Sequence, residues 1–139
     1  MIMFRVLGVP KGQPRPRASI SKGKVRMYDC GSAESWKEAI SWVAKHHRPE
    51  EPITGPVAVD LTHYMPRPKA HFNKSGVKPD APFHHTGKPD TDNLAKAALD
   101  CLTQLGFWRD DSQVCSLAVS KEYSEQPGAR IVINPMSAP

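Results

Sequence analysis

Five aspartates and two lysines within a short stretch carry the chemistry this sequence offers. They are Asp90, Asp92, Lys96, Asp100, Asp110, Asp111 and Lys121, and all but the last fall in KPDTDNLAKAALDCLTQLGFWRDDSQV, residues 88–114. Carboxylates brought close together repel one another and need cations to neutralise them. Their oxygens are hard ligands, which with water suit Mg²⁺ or Mn²⁺ better than zinc. A pair of such ions about 4 Å apart activates a water and stabilises the leaving oxygen of a phosphodiester. Lys96 and Lys121 would add positive charge for the pentacoordinate phosphorus, or a proton for the leaving group. Each residue also has a plainer reading. Asp90 and Asp92 sit where helix caps and dipole partners sit, Lys96 and Asp100 are spaced as a surface ion pair, and Asp110-Asp111 is a common turn. The metal reading therefore requires the loop of Asp111 to fold back beside the start of the helix that carries Asp90 and Asp92.

The elements that must position these groups follow from periodicity. Pro89 disfavours helix at Lys88, so a helix begins just after it. Leu94, Ala98, Cys101 and Leu105 form its apolar stripe, Asp92, Lys96 and Asp100 its polar face, and Gly106 its stop at about residue 105. An earlier helix runs from an N-cap at Ser32 to about His47 and buries Trp36, Ala39, Ile40, Val43 and His47, with Trp42 also expected to pack; Pro49 and Pro52 end it. Residues 2–9, 57–64, 113–123 and 129–134 read as strands, the second with Val57, Val59, Leu61 and His63 on one face. Residues 18–21 and 24–28 read as a hairpin around Lys22-Gly23. Gln126-Pro127-Gly128 suggests an antiparallel turn between the last two strands. The expectation is one α/β (α+β) domain spanning 1–139, a mixed and mainly antiparallel sheet with two helices packed on it. Residues 65–89, rich in Pro, Gly, Lys and His, have no periodicity and read as a long loop, of the kind that is functional or disordered.

Bulk composition narrows the class. The 139 residues suffice for one core without staples. No apolar run reaches membrane-span length, and the start does not read as a signal peptide, which makes the cytoplasm the default. Cys30, Cys101 and Cys115 are odd in number and widely spaced, against a disulfide framework or structural zinc; half-buried reduced thiols are expected. The net charge is +5, but residues 1–48 hold ten Lys and Arg against three Asp and Glu, a balance of +7, and the remainder holds nine against eleven, −2. A basic half beside an acidic half suits a polyanion partner with a separate acidic site. Lys11, Arg15 and Arg17, on the proline-broken segment PKGQPRPR, are candidate phosphate contacts, as is Lys88. His84-His85 lack metal-ligand spacing and are read as solvated loop residues. Phe107 and Trp108 are read as anchors of their loop to the core, and Asp60 as exposed.

With these residues in view, the sequence resembles the RusA family of Holliday junction resolvases. The resemblance rests on Lys88-Pro89-Asp90-Thr91-Asp92-Asn93-Leu94-Ala95-Lys96-Ala97, with Asp100, Leu102, Gly106, Trp108, Asp110-Asp111, Gln113-Val114 and Lys121, and more loosely on Gly8 to Arg17. It covers about a third of the chain, and the long loop 65–89 ahead of the motif does not help the match. It implies that Asp90, Asp92 and Asp111 bind metal and that Lys96 is the essential active-site lysine, with Asp110 and Lys121 in support. It further implies homodimers that cut four-way DNA junctions with Mg²⁺ or Mn²⁺ by paired nicks, many of them encoded by phages or prophages. Two-fold symmetry suits that substrate, because a C₂ dimer presents one active site to each of two opposed strands. A metal nuclease of flaps or plain duplex, and a non-catalytic DNA-binding module in which the acids are only caps and turns, remain as alternatives.

Overall fold

The computed structural model describes residues 1–13, 17–21, 24–28 and 33–137, of which 17–21 and 24–28 are described through their backbone alone. Arg15 and Ser32 lie outside the described residues. The chain order is β1 (Ile2–Leu7), β2 (Arg17–Ser21), β3 (Lys24–Tyr28), α1 (Glu34–Ala44), β4 (Val57–Pro66), β5 (Phe72–Asn73), β6 (Gly76–Val77), α2 (Thr91–Gln104), β7 (Val114–Ser124) and β8 (Gly128–Pro135). The main sheet has the order β1-β8-β4-β7. β8 is antiparallel to both β1 and β4, whereas β4 and β7 are parallel. The expected hairpin is present as β2 and β3, with Arg17 opposite Tyr28.

The parallel pair follows from connectivity. A strand can return beside its predecessor in the same direction only through a long crossover, and the chain from β4 to β7 makes one through α2. α2 therefore runs back against the two strands. Its first turn lies at the end where β4 and β7 finish, and its last turn where they begin. β7 and β8 run in opposite directions, as Gln126-Pro127-Gly128 suggested, yet they are not neighbours, because β4 lies between them. That pairing was invisible to local sequence.

The core lies between the helices and one face of the sheet. Phe4 and Val6 of β1, Val57, Val59 and Leu61 of β4, and Ala129, Ile131 and Ile133 of β8 cluster with Trp36, Ile40 and Ala44 of α1 and Ala95, Ala98, Cys101 and Leu102 of α2. Burial on this scale is worth about 1.5–3 kcal/mol for each large apolar side chain. Phe107 and Trp108 are buried as expected, and the Trp108 indole donates to Thr103 Oγ1 at 2.8 Å. The opposite sheet face carries Met3, Arg5, Asp60 and Arg130, all exposed. Gly128 is required where β8 meets β1, since a Cβ there would strike the Val6 carbonyl.

Several expectations need correcting. α1 starts at Glu34 with Ala33 in the cap position and no side-chain cap, and it ends at Ala44, a turn short of His47. Trp42 does not pack: it is 66% exposed, with the Lys45 ammonium 3.7 Å from its ring centroid. His47 is exposed too, although its ring stacks on Phe4. Cys115 is exposed rather than half-buried. Residues 65–89 are not structureless. They finish β4, make a 3₁₀ turn (Lys69–His71), form the small β5–β6 pair, and then lie along the outer edge of β7. Tyr123 N donates to Phe83 O at 2.9 Å and His85 N to Lys121 O at 3.2 Å, so this strap covers part of the edge that β7 would otherwise expose.

Candidate active site

The strap delivers Asp90 to the N-cap position of α2. The Asp90 carbonyl accepts from Leu94 N at 3.1 Å, the first bond of the helix, but its side chain makes no capping hydrogen bond and is exposed. The simple capping role therefore does not account for this carboxylate. Asp92 is exposed in the first turn of α2 and is not an isolated charge, being held in a contact of its own. Asp90 borders a cleft of 360 Å³ whose other walls are Lys11, Gly12, Gln13, Lys88, Pro89 and Asn93. The segment after β1 is fastened there by Gln13 N donating to Asn93 O at 2.9 Å. Gly12 makes the approach possible, because a Cβ at that position would lie 2.9 Å from Asn93 Cβ and 3.0 Å from Pro89 Cβ. Gln13 Oε1 is buried there without a hydrogen-bond partner among the described residues. Lys11 and Lys88 are exposed on this rim, as phosphate contacts must be. Arg17 begins β2 rather than lying on the proline-rich loop.

Lys96 pairs with Asp100 at 3.6 Å, the i,i+4 surface pair that spacing allowed, with its own side chain 57% exposed. Such a pair is worth only tenths of a kcal/mol and leaves the lysine free to move to an anion. Lys121 behaves differently. It lies on the face of β7 that carries Leu117 and Val119, but its ammonium meets no carboxylate among the described residues. It donates instead to the carbonyls of Gly87, at 2.6 Å, and Pro89, at 2.9 Å.

Asp110 and Asp111 lie elsewhere. Asp110 caps a 3₁₀ turn (Asp111–Gln113) by accepting from Ser112 N at 2.8 Å, and Gln113 closes the capping box. The Ser112 backbone bond, ahead of side-chain bonds from Ser112 and Asp111, holds its carboxyl below the ordinary range. Gln113 Nε2 then bonds the carbonyls of Ile53 and Gly55, and Ile53 N bonds Phe107 O. These bonds fix Asp111 at the C-terminal end of α2, while Asp90 and Asp92 are at its N-terminal end. Fourteen residues at 1.5 Å each separate them by roughly 20 Å along the axis. The loop does not fold back as the metal reading required of it. Among the described residues of one chain, no three His, Cys, Asp or Glu side chains come together to hold a metal ion. The physical reason is the crossover: a helix joining parallel strands must put the loop after it at the opposite end from the loop before it.

Sequence reasoning missed the histidines behind the strap. His63 is 1% exposed, with Nδ1 unpartnered, and burial lowers its pKa from 6.5 to about 4; a backbone hydrogen bond to Ser120 opposes that shift and the Lys121 charge adds to it. His85 is not solvated loop but half-buried, its ring edge-on to Tyr123 with centroids 5.0 Å apart. Desolvation and then the Lys121 charge lower its pKa as well. The only sequence signal for His63 was its place on the apolar face of its strand.

An α+β domain with an acidic helix start at the finishing ends of parallel strands, walled by lysines, defines the class of the protein. The comparisons give that class a family: the profile of endodeoxyribonuclease RusA matches residues 8–134, so the chain belongs to the RusA endodeoxyribonuclease family. It is 44% identical over 140 residues to the uncharacterized protein YqaN of Bacillus subtilis (strain 168), covering 99% of this chain and 98% of that one. It is 59% identical over 32 residues to the crossover junction endodeoxyribonuclease RusA of Escherichia coli (strain K12), a match of 23% of this chain and 27% of the other. A crossover junction endodeoxyribonuclease of Enterobacteria phage 82 matches at 56% over 32 residues, with the same coverage. No helix among the described residues is long and apolar enough to cross a membrane.

Proposed function

We propose that this protein is a structure-selective endonuclease that resolves four-way DNA junctions by hydrolysing one phosphodiester on each of two opposed strands, with Mg²⁺ or Mn²⁺, as a homodimer. The observation that carries the reading is the Asp90 carboxylate, placed at a helix N-cap without capping it and set in a lysine-walled cleft. Helix starts favour negative charge, so the cleft suits a phosphate as well as the acid that prepares its attack. Lys11 and Lys88 would hold the backbone beside the cut, and Lys96 would leave Asp100 to meet the charge that develops on the phosphorus. Arg15 and Arg17 remain candidate arm contacts in the same basic half. The proposed metal ligands are Asp90, Asp92 and Asp111, and a cation bound there would supply an activated water.

One chain cannot assemble those three ligands, and this favours the dimer on mechanical grounds. A two-fold axis across the middle of α2 and β7 would set two α2 helices antiparallel, bringing the Asp111 end of one copy to the Asp90 end of the other. Midway along β7, Leu117 is 44% exposed on the face shared with Val119, with Cys115 exposed beside it, an apolar strip suited to the centre of such an interface. Both cuts then depend on both copies, which suits a reaction that must make paired nicks.

The test uses a synthetic four-way junction with Mg²⁺. Wild type nicks it at symmetric positions and fails in EDTA; Asp90→Asn and Asp111→Asn each bind it without cutting. Mixed after refolding together, the two inactive variants regain single-strand nicking, because one heterodimeric site keeps Asp90 from one copy and Asp111 from the other. Cleavage in EDTA, or preference for flaps or plain duplex, refutes the reading of metal or substrate; mixtures that stay inactive refute the shared site.

A further inference from the structure

Lys121 is set apart from the other cations of this end of the molecule by what it touches. Lys11, Lys88 and Lys96 are exposed, whereas Lys121 is half-buried with its ammonium on two backbone carbonyls of the strap. Those carbonyls, of Gly87 and Pro89, belong to the residues that lead directly into Asp90. The same stretch of β7 holds the strap by backbone as well, through His85 N to Lys121 O and Tyr123 N to Phe83 O. Behind it stand His63, directly across from Lys121 in the β4–β7 register, and His85, against Tyr123. Each of these imidazoles has a buried Nδ1 without a partner among the described residues, and neither offers the ammonium a negative charge. With no carboxylate within ion-pair distance among the described residues, the ammonium is committed to the strap.

From this geometry we infer that Lys121 is a positioning residue: it fixes the segment 87–89, and through it the place of Asp90 at the mouth of α2, without touching the phosphate. A cation hydrogen-bonded to two carbonyls makes stronger bonds than neutral donors do, and one side chain thereby holds both sides of the Lys88 peptide unit. Its loss frees the last residues of the strap while leaving the β4–β8 core intact. The inference rests on the proposed role of Asp90 as a ligand only for its consequence on metal binding.

The experiment compares wild type with Lys121→Met, Lys121→Gln and Lys121→Arg, full length and without DNA. Hydrogen exchange is read at residues 85–92, with amides of β8 as the check that the fold persists. Exchange over 85–92 is expected to quicken by about tenfold or more in Lys121→Met, less in Lys121→Gln, and to stay near wild type in Lys121→Arg, whose guanidinium can still bridge both carbonyls. Binding of Mn²⁺ alone, followed by its electron paramagnetic resonance signal, is expected to weaken about tenfold in Lys121→Met and to recover in Lys121→Arg, while junction affinity in EDTA stays unchanged. Unaltered exchange over 85–92 in both Lys121→Met and Lys121→Gln overturns the inference. So does loosened exchange with wild-type Mn²⁺ affinity, or a loss of junction affinity equal to that of Lys88→Gln. If wild type itself binds no Mn²⁺, the metal reading of Asp90 fails while the exchange result still decides the role of Lys121.

Discussion

Among single residues, the most informative is His63. Its pKa is depressed to about 4 by burial, against 6.5 when exposed. The unfolded chain therefore takes up a proton that the folded chain refuses between those values, and stability falls as pH drops from about 6.5 toward 4. The loss is worth about 2–3 kcal/mol. Urea denaturation at pH 7.5 and pH 5 should show the drop in wild type and a much smaller one in His63→Leu. Gly12 is the second case. Gly12→Ala pushes a methyl group against Asn93 and Pro89, and the segment carrying Lys11 must move off α2. Junction cleavage should fall about tenfold or more, with stability reduced by about 1–3 kcal/mol, as measured by cleavage rate and thermal unfolding. Lys96 supplies a third. Lys96→Met should abolish cleavage, whereas Asp100→Asn, which only releases the lysine, should leave the cleavage rate within a few-fold of wild type.

At the scale of elements, α2 explains both what was legible in the sequence and what was not. Its span, its buried stripe and its stop at Gly106 were readable, because each depends on residues within a few turns of one another; Gly106 does adopt a positive φ of 84°. The burial of Phe107 and Trp108 was readable from their bulk. The separation of Asp111 from Asp90 was not, because it depends on the direction of a crossover, and that direction follows from β7 pairing with β4 rather than with β8. Nothing local to Ser124–Gly128 distinguishes a hairpin turn from a passage over the end of β4. The strap was opaque for a related reason: its order comes from backbone bonds to β7, which leave no periodic pattern in residues 65–89. Trp42 misled because its bulk suggests packing, whereas its position on α1 lies off the stripe of Trp36, Ile40 and Ala44. Gly128 tests the element-level account. Gly128→Ala drives a methyl group into the Val6 carbonyl, so the β1–β8 pairing must open, and a loss of at least about 2 kcal/mol is expected in urea denaturation, with β1 amides exchanging first.

For the molecule as a whole, charge and symmetry decide the behaviour. The basic excess in residues 1–48 and the lysines of the cleft predict binding dominated by phosphate contacts. Junction affinity should fall steeply with salt, and Lys11→Gln or Lys88→Gln should each reduce the slope of log affinity against log salt by about one. Leu117→Asp, placed at the proposed two-fold, should give monomers in sedimentation that fold but neither bind Mn²⁺ tightly nor cut. A dimeric Leu117→Asp variant with wild-type cleavage would remove β7 from the interface.

The strap along β7 has one more consequence. Strands whose outer ladder is vacant recruit other strands, and a long one is a seed for filaments. β7 spans eleven residues, and the bonds from Phe83 and His85 stand at its finishing half. A chain trimmed of residues 67–86 and rejoined would offer that half as a template to its neighbours. It should then assemble into cross-β aggregates that bind thioflavin, at concentrations where the intact chain stays dispersed.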